Sequence, residues 1–203
     1  MNQTDTNPAR FPYLATVVAF IAIVIMLGLG FWQLDRKLEK ETRLEQIKFA
    51  AQQQTLRLVD VIENYAEYQD FAIDAEGQLL PGSFYIDNKL YDGKAGFNVM
   101  RGFETDSGIL MLDLGWLAAT APRPAMPEYK ALSFNAISGV LYIPTDNQLI
   151  KETNQQFGSF PALLQQADLK QFERHLGRDV LPFILRTQQN ENAQFVRKWE
   201  AVT

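Results

Sequence analysis

No cysteine occurs among the 203 residues. Disulfides, thiolate nucleophiles and Cys-ligated zinc or iron–sulfur centres are excluded together, while the redox compartment stays open. Histidine is almost as scarce, with His175 standing alone. A catalytic zinc would then rest mainly on carboxylates, a donor set that zinc sites rarely use. There is no GxxxxGK(S/T) or GxGxxG phosphate loop, and no serine in a GxSxG elbow. Positive charge is short as well: 19 Lys and Arg face 24 Asp and Glu, a net charge of -5. Before Phe11 the only charged side chains are Asp5 and Arg10, so the acidic excess lies wholly on the C-terminal side of that point. Such a chain has no electrostatic case for binding nucleic acid.

What the chain has instead is one long uncharged run, Phe11 to Leu34. As a helix it would reach roughly 36 Å, against roughly 30 Å of bilayer hydrocarbon. It ends in Phe31-Trp32-Gln33-Leu34 and then in charge, with Trp32 where an interfacial aromatic belongs. A cleaved secretory signal is the rival reading, but its apolar core would be shorter and a small-x-small site would follow. The organisation read from this is a polar tail over 1–10, a transmembrane helix over 11–34, a juxtamembrane helix over 35–58, and a domain over 68–203.

After Asp70 the periodicity changes. Short apolar runs (71–73, 83–86, 97–100, 109–114) alternate with the turn signals Glu76-Gly77, Pro81-Gly82, Asp92-Gly93 and Asp106-Ser107-Gly108. This predicts a mainly antiparallel sheet, and with the anchor and one or two helices an α+β chain. Residues 121–127 carry three prolines and read as an extended surface loop. A strand region is expected over 132–143, a helix over Phe160–Leu176 capped by Gly177, and closing strands over 180–185 and 195–199.

Few residues suggest chemistry. His175, beside Arg174 at the end of the expected helix, reads as a surface residue favoured by the helix dipole rather than a ligand or acid–base group. Asp87, Asp92 and Asp106 have local reasons to sit in or beside turns. Asp113 differs, because it lies inside an apolar strand, where a carboxylate needs a partner or a wet face. Gly115-Trp116 follows it. Either this is a bulge with Trp116 packed in the core, or it is a surface where another backbone or flat ligand approaches.

Two blocks together carry a resemblance. One is Gly30-Phe31-Trp32-Gln33-Leu34-Asp35-Arg36-Lys37, the exit of the apolar run. The other is Phe84-Tyr85-Ile86-Asp87-Asn88-Lys89 through Gly93, then Gly96-Phe97-x-Val99, Gly108-Ile109-Leu110 and Gly115-Trp116. Ser138-Gly139-Val140, Pro161 with Gln165 and Asp168, and Leu181-Pro182-Phe183 continue it. The chain resembles the surfeit locus protein 1 family of cytochrome c oxidase assembly factors over nearly all of Gly28–Trp199.

The resemblance implies an inner-membrane protein whose domain faces the periplasm. It would assist maturation of oxidase subunit I, together with other assembly factors, near the supply of haem a. It would act by binding, not as an enzyme, with haem a at most a transient guest. A haem a carrier and a membrane-anchored periplasmic enzyme are the alternatives. The residues singled out for partner binding are Trp32, Gln33, Arg36, Asp113, Gly115 and Trp116, with both groups expected near the membrane surface and Trp116 presented to a partner.

A plain count of Lys and Arg flanking the apolar run would put the domain in the cytoplasm instead. The resemblance is preferred, because a segment of domain length is translocated largely regardless of that count. Two features depart from the family. Asp113-Leu114-Gly115-Trp116 stands where Asn-Arg-Gly-Trp is usual. The family's second membrane helix, with its histidine implicated in haem binding, has no counterpart before Thr203, so a clipped or a divergent one-helix member is expected. That histidine's role does not pass to His175, which lies well upstream.

Overall fold

The computed structural model describes residues 13–120, 126–145, 147, 150, 156–188, 194–197 and 199. The tail over 1–10 and most of the proline-rich loop lie outside them. The chain forms two compact units, one ending at Glu45 and the other beginning at Gln46.

The first unit is most of one helix, α1 (Tyr13–Ala51). Its apolar part has a mean hydropathy of 2.7 and no buried residue, so by length and composition it can cross a membrane. Phe20, Trp32 and their neighbours are exposed to the surroundings. Past the apolar run the helix continues without a break. Arg36–Glu39 and Lys37–Glu41 ion pairs support its exposed surface. It stops at Ala51, short of the expected Leu58, because Leu56–Arg57 (β1) joins a sheet and Leu58–Val61 (α2) turns separately.

The second unit is a nine-stranded mixed sheet. Its further strands are β2 (Ala72–Glu76), β3 (Gln78–Leu79), β4 (Phe84–Tyr91), β5 (Lys94–Thr105), β6 (Gly108–Ala118), β7 (Ala136–Tyr142), β8 (Ala162–Leu164) and β9 (Val180–Thr187). The order across the sheet is β1-β2-β7-β9-β6-β5-β4-β8, with β3 on β5. The hairpins are antiparallel as expected. Three pairings, β1 with β2, β4 with β8 and β6 with β9, are parallel.

Period-two alternation sorts the side chains. In β6, Leu110, Leu112 and Leu114 enter one core with Phe97, Phe103, Phe183 and Leu185. Ile109 and Met111 enter the other with Phe84, Met100 and Ile184. The central strand is thus buried on both faces, which is why its sequence is almost continuously apolar.

The second core is closed by α3 (Leu169–Leu176). This helix is half the length expected. Ala162–Leu164 pairs in register with Phe84–Ile86 instead of coiling. The helix begins where Asp168 accepts from the Lys170 N–H at 2.9 Å. It ends as expected at Gly177, whose φ of 64° suits glycine. Towards the chain end, Val196 makes a two-way bridge with Trp116 rather than part of a long strand.

Candidate functional site

The corner around Asp113 is built by a bulge. In the β5–β6 ladder Val99 faces Gly115 but Met100 faces Asp113, so Leu114 is the extra residue. The extra residue changes the phase of the strand. Without it Trp116 would follow Leu110, Leu112 and Leu114 into the first core. With it, Trp116 lies across from Asn98, on the face that carries Asp113. Gly115 makes the bulge possible: its φ is 116°, and a Cβ there would stand 2.7 Å from the Val196 carbonyl oxygen.

The Asp113 carboxylate is buried and partnered. It accepts from the Gly115 N–H at 3.1 Å and from Asn98 Nδ2 at 3.2 Å. Burial pushes its pKa up to about 6, against the opposing pull of Arg186, the Gly115 N–H, Asn98 and Lys89. Arg186 lies beside it on β9, in register across the parallel ladder. Its guanidinium is stacked on the Tyr142 ring, 3.4 Å from the centroid, and faces Trp199 at 5.4 Å. Its Nε is buried with no hydrogen-bond partner among the described residues. Thr187 Oγ1 donates to the Asp113 carbonyl at 3.1 Å, locking the strands together.

Trp116 is not presented outward as expected. It is 9% exposed, donates from Nε1 to the Lys89 carbonyl at 3.2 Å, and packs against Tyr91. Gly96 leaves room for its indole, since a Cβ there would lie 2.5 Å from the ring. The packed-bulge reading is therefore the one realised, and the polar side chains beside the indole carry the corner's chemistry. Asp113 can carry a proton, and Arg186 is itself a flat cation stacked between aromatic rings. An amide and a main-chain N–H hold the carboxylate, and neither is a general acid or base.

Asp113, Gly115 and Trp116 come together in this corner. Trp32, Gln33 and Arg36 follow one another along exposed helix in the other unit. Asn98, Tyr142, Arg186 and Trp199 belong to the corner and are not legible as such from sequence. The one available signal is Arg186, a charged residue closing an otherwise apolar strand.

His175 is not a surface residue. It is 3% exposed and ringed by Phe84, Phe157 and Phe160 at 5.1–6.2 Å between centroids. The amphipathic spacing of α3 turns it inward beside Phe172. Haem a, the group the resemblance implies, finds no fit there, since this imidazole is enclosed by rings and presents no axial ligand outward. Among the described residues no cluster of three or more His, Asp or Glu is placed to hold a metal ion.

Comparison with known proteins places a match to the SURF1 family over residues 20–203. A SURF1-like protein of Rickettsia felis is 24% identical over 106 residues, covering 50% of this chain and 46% of the relative. The chain thus aligns with about half the length of that curated relative.

Proposed function

The chain belongs to the SURF1 family, and from that membership we propose a membrane-anchored assembly factor for cytochrome c oxidase that acts by binding rather than catalysis. The observation that carries the reading is the extent of the match, which begins inside the apolar part of α1 and continues through every strand of the sheet. Most of the apolar helix and the whole sheet domain fall within one family match, as suits a protein that works on a membrane-embedded neighbour. In this reading the domain lies on the periplasmic side of the inner membrane and assists subunit I around the insertion of haem a. Haem a is a passing group rather than a resident one, consistent with the enclosure of His175. The Asp113 corner and the Trp32–Arg36 stretch are its contact regions, the former through the half-buried Arg186, with Asp113 and the indole holding the corner from inside.

Deleting the gene and measuring haem a in the assembled oxidase of isolated membranes tests this. The expected result is a loss of oxidase haem a, restored by the full chain, with subunit I co-purifying. Unchanged haem a content in the oxidase would overturn it.

A further inference from the structure

A groove separate from the Asp113 corner lies where β4 and β5 meet the segments at 128–131 and 160–161. It has a volume of about 510 Å³ and is lined by Ser83, Tyr85, Arg101, Glu128, Tyr129 and Phe160 among others. That is within the range of small-ligand sites, roughly 300–1,000 Å³. Its polar groups are organised around Arg101. Nη1 donates to Tyr129 Oη at 3.3 Å and Nη2 donates to the Leu80 carbonyl. Nε is buried with no hydrogen-bond partner among the described residues. Each Nη still has a second hydrogen to give.

Tyr129 Oη also shares a hydrogen bond with Ser83 Oγ, so the guanidinium and two hydroxyls converge. Tyr85 is committed elsewhere, donating to the Pro127 carbonyl at 2.7 Å. Burial pushes its phenol up to about 12; Tyr129 and Glu128 add to the rise and Arg101 opposes it. The phenol therefore stays a neutral donor, and both charges of the groove reach it.

The chemistry of a ligand is set by these groups. A single guanidinium with in-plane hydrogens suits a carboxylate, which it can meet with two parallel bonds. Exposed Glu128 at the rim repels a dianion such as phosphate and favours an N–H beside the carboxylate. The Phe160-Pro161 wall suits an apolar side chain. The open side leaves a path for a chain to lead away. We propose that this groove receives the C-terminal residue of a partner polypeptide. Its terminal carboxylate would lie against Arg101 and Tyr129, and its last amide N–H would point towards Glu128.

The test is calorimetric titration of the full-length protein in detergent micelles. The probes are N-acetyl-glycyl-phenylalanine, the same peptide as its C-terminal amide, and free phenylalanine. The acid peptide is expected to bind, and the amide to bind at least about tenfold more weakly. Arg101→Lys keeps the charge without the fork and should lose about tenfold for the acid peptide. Glu128→Gln, at an exposed position that leaves folding intact, should weaken the acid peptide a few-fold. Equal binding of acid and amide would overturn the proposal. So would free phenylalanine binding as tightly as the peptide, an acid-peptide affinity unchanged in both variants, or no heat from any probe at millimolar concentration in protein with normal thermal unfolding. None of these readouts depends on an oxidase.

Discussion

Asp113 is the residue at which burial and charge compete most directly. Its carboxyl has a pKa of about 6 in the fold against an ordinary 3.8. Between those values the folded chain keeps a proton that the unfolded chain has lost. Stability from this group therefore falls as pH rises through the window, is lost above about pH 6, and is fully present below about pH 4. The whole effect is about 3 kcal/mol at most. Asp113→Asn imitates the neutral form and keeps an acceptor for the Gly115 N–H. Denaturant titrations should find it more stable than the parent at pH 7 and equal to it at pH 4. A variant weaker than the parent at pH 7 would mean that the attraction of Arg186 outweighs burial.

At the scale of elements, the bulge in β6 shows where sequence reading reaches and where it stops. Gly115 beside an in-strand Asp113 already offers a bulge as one of two readings, because strand glycine and strand carboxylate each need a local reason. What Asp113 would face was not legible, since Arg186 lies 73 positions later and meets it only through the register of a parallel ladder. Parallel partners carry no turn signal between them, and the same gap hid β8. There the apolar run at 162–164 fits a buried helix face as well as a strand, and only its pairing with β4 decides. The helix ends were legible because Asp168 and Gly177 act locally. Gly115→Ala tests the bulge itself. It forces a side chain into positive φ and against the Val196 carbonyl, so a loss of about 2–4 kcal/mol is expected by chemical denaturation. A loss under about 1 kcal/mol would show that the strand can re-register around the added methyl.

For the molecule as a whole, the long apolar helix was the most legible feature, because an uncharged run of this length is long enough to cross a bilayer as one helix. Which side the domain occupies is a separate question, on which flanking charge and family resemblance disagree. In the proposed arrangement the protein stays in the membrane pellet after alkaline carbonate extraction. Protease added to spheroplasts then digests the sheet domain while sparing the apolar part of α1. Digestion only after lysis would place the domain on the cytoplasmic side and remove it from the proposed site of action.

The strand order also bears on how such a domain is made. β9, the last strand among the described residues, lies between β6 and β7 and hydrogen-bonds to both. Until it arrives, the two halves of the sheet have no ladder joining them, and two long strand edges stay open in an apolar neighbourhood. A chain threaded through a translocation pore from its amino end would emerge with the β6 edge bare from Ala118 until Val180 follows, an interval in which unwanted pairing with other chains is easiest. Safe folding of this sheet therefore depends on the arrival of β9, and slowing that arrival should produce aggregates before it produces inactive folded protein.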